Sequence, residues 1–163
     1  MTVDFESRDL NIPADRRAIL EEISPDRATV RELHKELLEI FKYEIVFRRD
    51  DEPDDGDFFE NLYWCGLLLY LVGDLADVPL MWQAKQLNMD TGGGFDVQFL
   101  VGAGLDETVR YLEEHHEEEI LEYVRKCKGA KDFDDLEGWE RFRIHYFYPS
   151  LGNSPSREQG SST

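Results

Sequence analysis

Basic residues are scarce in this sequence: 18 Lys and Arg stand against 36 Asp and Glu, leaving a formal net charge of −18. A field of that sign repels phosphate backbones and anionic lipid surfaces and draws basic proteins and cations, so no nucleic-acid and no membrane partner is expected. Cysteine is nearly absent as well. Cys65 and Cys127 occur without a CxxC or Cys/His spacing, which excludes a disulfide framework and fits a reduced, cytoplasmic setting. Long apolar runs are missing too: the longest reaches about half of the ~20 residues that a bilayer span needs. The first residues, MTVDFESRD, have no basic segment leading into an apolar one, so no export signal is expected. Neither GxGxxG nor the Lys-Ser/Thr of a phosphate-binding loop is found, and no His-Glu-x-x-His; cofactor-dependent chemistry therefore has no signature here, and no cofactor is expected.

The sequence does hold material for one core. Its 163 residues are 41% hydrophobic, with three Trp, seven Tyr and ten Phe, enough for a single domain to bury an interior without metal or disulfides. Asn61 to Val72 is apolar almost all round, and a helix of that kind must be covered by other helices. Around it, Pro13 opens a helix running to Ile23. Val30, Leu33, Leu37, Leu38, Ile40, Phe41 and Ile45 recur at helical spacings after Pro25 and predict one amphipathic helix of about five turns. Asp50 to Asp57 holds six acids in eight residues, broken by Pro53 and Gly56, and reads as an exposed loop whose Asp57 caps the next helix.

Gly73-Asp74 marks a left-handed stop and a restart, with Asp74 or Asp77 capping a helix that carries Val78, Leu80, Met81, Ala84 and Leu87. Phe95 to Val101 is expected to be a short helix. A helix from Asp106 or Thr108 runs to about His116, and the pattern resumes to Lys128-Gly129. Phe133, Leu136, Trp139, Phe142 and Tyr146 predict an aromatic closing helix on the core, ended by Pro149. The expectation is a single all-α domain, a compact helical bundle over residues 1–149, with a disordered tail over 150–163.

The phrase Leu69-x-Leu-Val-Gly-Asp-x-Ala-Asp-Val-Pro-Leu80 resembles the turn between paired helices of short bacterial HEAT-like repeats. A weaker copy lies 31 residues on, aligning Gly104 with Gly73, Val109 with Val78 and Leu112 with Met81. The resemblance covers about 50 residues, implies stacked helical hairpins and carries no catalytic residue.

Candidate sites are few. Asn88 to Asp96 contains three consecutive glycines and reads as a flexible inter-helix loop, with Asp96 capping the next helix. Its Asp90-Thr91-Gly92 triplet matches that of aspartic proteases but lacks a second copy to share a proton. On one helix, His115 and Glu119 would stand one turn apart and share a cation. Glu113-x-x-His116 supplies only one of the two motifs that a di-iron bundle requires. Cys65 reads as core; Cys127 follows Arg125 and Lys126, which would lower a thiol pKa, but no base accompanies it. His34 reads as a surface or satisfied histidine, and Trp82 and Tyr148 as exposed aromatics available for self-pairing.

No catalytic residue and no metal ligand is assigned. The binding candidates are Asp90, Thr91, Gly92, Gly93, Gly94 and Asp96 together with Glu117, Glu118 and Glu119, a negative surface suited to a basic protein partner. The expected function is a non-enzymatic acidic binding or adaptor module. It is similar in class to toxin-neutralising immunity proteins. The alternative is a small-molecule or metal-dependent enzyme with its site around Asp90 to Asp96 and His115 or His116. Oligomeric state is left open.

Overall fold

The computed structural model describes residues 2–50 and 58–152, and among these every regular element is helical. The α-helices are α1 (Pro13–Glu22), α2 (Arg27–Glu32), α3 (His34–Asp50), α4 (Asn61–Val72), α5 (Val78–Lys85), α6 (Met89–Gly94), α7 (Leu105–Glu114), α8 (Glu118–Gly129), α9 (Leu136–Phe147) and α10 (Pro149–Gly152). Two 3-10 segments, Leu75–Asp77 and Val97–Val101, join α4 to α5 and α6 to α7. No helix among the described residues is long and apolar enough to cross a membrane.

The centre is α4, in which all 12 residues are buried. It packs against α1, α2, α3, α9 and the Val97–Val101 segment, and this coverage is what its nearly uniform apolar sequence demands. Gly73 ends it in the left-handed conformation (φ 72°), returning its amide to the Leu69 carbonyl. Asp74 then accepts from the Ala76 amide, so the stop-and-restart reading holds. Asp77 does not cap; its carboxylate turns to His34 instead.

The aligned Gly104 also has a positive φ of 108°, and Val78, Met81 and Leu112 are all buried. The segments before the two glycines differ, however: a 12-residue α-helix precedes Gly73, and a five-residue 3-10 segment lies before Gly104. Gly102 packs closely on α4 there, where an added Cβ would overlap the Tyr70 carbonyl.

Several expectations are corrected. The helix foreseen from Pro25 to Ile45 is two, since Leu33 leaves helical geometry (φ −99°, ψ 14°) and α3 restarts at His34. Asp26 caps α2 by accepting from the Thr29 amide. The next long helix starts at Asn61; the expected cap Asp57 and the acidic segment 51–57 lie outside the described residues. The break between α7 and α8 falls between His115 and Glu119, with His116 at φ 56°, so these two do not share a helix.

In α9 the inward side is Trp139, Ile144 and Phe147, while Phe142 and Tyr146 stack on one another at the surface. Tyr148 is buried: it accepts from the Trp64 indole and donates to the Leu20 carbonyl, both at 2.8 Å, and Trp82 is half-buried beside Tyr123. Residues 149–152 form α10 rather than the start of a tail, and 153–163 lie outside the described residues.

One polar cluster is set into this core. Arg16 on α1, Glu44 on α3 and Asn61 on α4 are 2%, 0% and 0% exposed. Arg16 Nε pairs with Glu44, its Nη1 donates to the Leu10 carbonyl (2.6 Å), and its guanidinium lies over the Tyr43 and Phe47 rings. Asn61 Nδ2 donates to Glu44 (3.0 Å) and to the Pro13 carbonyl (3.2 Å). Three helices are thereby registered by one buried carboxylate.

Candidate functional site

Asn88 to Asp96 is ordered structure fastened at both ends by hydrogen bonds. Asn88 and Thr91 form a capping box at the start of α6, which satisfies the orphan amides that would otherwise make three glycines a loop. At the other end, Lys85 donates from Nζ to the carbonyls of Gly92 (2.7 Å) and Phe95 (2.6 Å). Burial pushes the Lys85 amine below its ordinary pKa, and Nζ sits 5.7 Å from the Tyr123 ring centroid. Thr91 is fully buried, and Gly94 faces the Tyr63 ring so closely that a Cβ would overlap it.

Asp96 does not cap the segment after it. Its carboxylate accepts from the Trp139 indole (2.9 Å) and Arg143 Nε (2.8 Å), fastening α9 to this corner. Of the sequence candidates here, Asp90 and Gly93 face solvent. Because the Lys85 ammonium donates to both the Gly92 and Phe95 carbonyls, Lys85→Met should cost about 2 kcal/mol by taking that donor from each. A fall in the urea midpoint measures it.

On α7 and α8 the expected acidic face exists, but its members are differently placed. Glu117 precedes α8 without capping it, and Glu119 accepts from the Trp82 indole at 3.2 Å. Glu113 pairs with Arg125 and Glu107 with Arg110. Glu114, Glu118 and Glu122 are exposed and have no ion-pair partner among the described residues. His115 stacks on Tyr111 and donates from Nδ1 to its carbonyl (2.9 Å). Cys65 is fully buried, as expected, and Cys127 is also buried; burial pushes both thiols up, against the lowering that Arg125 and Lys126 would bring to Cys127.

A second cluster was not singled out in the sequence. His34, at the first position of α3, faces the α4–α5 turn: Nε2 lies 2.7 Å from Asp77 Oδ2 and Nδ1 lies 3.8 Å from Asp74 Oδ2. Asp77 is buried and Asp74 exposed. Burial pushes the Asp77 carboxyl up, and the His34 hydrogen bond opposes that.

His34 also lines a cleft of about 670 Å³ with Arg31, Glu32, Lys35, Leu38, Glu39 and Lys42. This lining holds no Ser, Thr or Cys side chain for the imidazole–carboxylate pair to activate. The available signal was two aspartates three apart just after a Gly turn, which is also an ordinary capping pattern. Comparison with protein-family models, with curated proteins and with solved structures finds no match for this chain, and its functional reading rests on its own residues.

Proposed function

We propose that the chain is a non-enzymatic binding module that captures a basic protein through the carboxylate face of the α7–α8 hairpin. The observation carrying this reading is the exposed set Glu114, Glu118 and Glu122, which no cation among the described residues pairs with. Glu118 and Glu122 stand one helical turn apart, where like charges weaken a helix by a few tenths of a kcal/mol. A basic surface laid against them relieves that repulsion and speeds encounter through the field of the whole protein. The candidate set contracts accordingly: Thr91, Gly92, Gly94 and Asp96 serve the fold, whereas Glu118 and, beside the Trp82 indole, Glu119 belong to the face. Neutralising a toxin that carries a basic surface is the specific form of this activity that we favour, on class resemblance.

The test is capture of a partner by the immobilised full chain at about 50 mM and about 500 mM salt, where the Debye length shortens several-fold. Association should slow at least about tenfold in the Glu114→Gln, Glu118→Gln, Glu122→Gln triple variant at low salt. A partner held equally by both proteins at both salts would overturn electrostatic capture by this face.

A further inference from the structure

We infer that His34 and Asp74 form the ligand pair of a divalent cation site of the zinc class, with Asp77 as the carboxylate that orients the imidazole. Asp77 is an acceptor, so Nε2 donates to it at 2.7 Å, which leaves Nδ1 as the ring nitrogen free to bind an ion. The separation from Nδ1 to Asp74 Oδ2 is 3.8 Å, too long for a hydrogen bond. Donor atoms each about 2.1 Å from one ion stand about 3.4 to 4 Å apart at tetrahedral or wider angles. A positive charge relieves the approach of that nitrogen to the carboxylate, whether as a second ring proton or as a bound cation, and metal titration with and without Asp74 distinguishes the two.

Three further features fit. The ligand atoms of His34, Asp74 and Asp77 all lie within 4.8 Å of one another. Asp74 is held in place, because its Oδ1 accepts from the Ala76 amide at 2.9 Å and leaves Oδ2 to turn toward His34. The imidazole donating its second nitrogen to a buried carboxylate is the support that metal-bound histidines ordinarily have. Imidazole with carboxylate oxygen suits zinc or manganese better than calcium or magnesium. His34 borders the cleft, so positions not taken by protein are open to water or to an anionic group entering between Lys35 and Lys42.

The experiment is calorimetric titration of the chelator-treated full chain with zinc chloride, repeated with manganese chloride, on the wild type and on Asp74→Asn and His34→Gln. Asparagine still caps the 3-10 turn, so Asp74→Asn should keep the metal-free melting temperature while losing a ligand charge. The expected result is one saturable site, weakened at least about tenfold by each substitution. The absence of saturable binding up to about 1 mM zinc would overturn the assignment. So would equal binding by wild type and Asp74→Asn, which would place the ion elsewhere on the acidic surface.

Discussion

Arg16→Met should destabilise the protein by about 3 to 5 kcal/mol, because it leaves the fully buried Glu44 without its cation. A lowered urea midpoint with an unchanged slope would show a change in stability rather than in the denatured state. The double variant Arg16→Met, Glu44→Met should recover most of that loss, since two apolar side chains of similar volume carry no desolvation cost. Recovery is helped because Arg16 Nη2 and Glu44 Oε1 have no hydrogen-bond partner among the described residues even in the native arrangement. Stability should also depend on pH. Burial pushes the Glu44 carboxyl above its ordinary value of 4.5, more strongly than Arg16 and Asn61 lower it. A carboxyl raised on folding contributes stability that is complete below the ordinary value and is lost as pH rises above it. Removing the guanidinium raises it further, so the penalty of Arg16→Met should shrink between pH 7 and pH 5. A penalty constant over that range would mean that removing Arg16 does not change the protonation of Glu44.

Gly102→Ala should be as damaging, at about 3 kcal/mol or more, for a different reason. At φ −61° the backbone of Gly102 suits any residue. The obstacle is space: an added Cβ would lie 2.8 Å from the Tyr70 carbonyl carbon and 2.9 Å from its Cα, and these belong to the backbone of the central helix. A side chain in the way can rotate, whereas α4 is held from several sides and cannot shift cheaply. Gly93→Ala is the control, because nothing lies within 4 Å of its added Cβ; it should stabilise by about 0.5 kcal/mol through the unfolded chain. Thermal unfolding of both variants separates close packing from glycine content as such.

The all-α fold was legible because its strongest signals are local. The apolar circumference of α4, the left-handed Gly73 and the Asp74 cap are each contained within a short span of chain. Several failures are those of residues whose partners are distant. Nothing in the local sequence marks Glu44, whose partner Arg16, 28 positions away, meets it inside the core. Asn88 to Gly94 reads as a loop by glycine content. It is a helix because Asn88 and Thr91 close one end, Lys85 closes the other, and the Tyr63 ring requires a residue without a side chain at Gly94. In the same way His34 and Asp77 are 43 residues apart, and each alone has a dull local explanation. The exposed carboxylates of α7 and α8 were visible as a run of Glu. Which of them are paired depends on the hairpin that brings Arg125 to Glu113.

The complete burial of α4 also decides where the protein opens last. Amide protons in helices that border solvent exchange through local fraying, but those of Leu67 to Val72 have no route to water while neighbouring helices stay in place. Their deuterium uptake therefore reports the global unfolding free energy, and the interior of this one helix is a built-in gauge of the stability of the whole molecule.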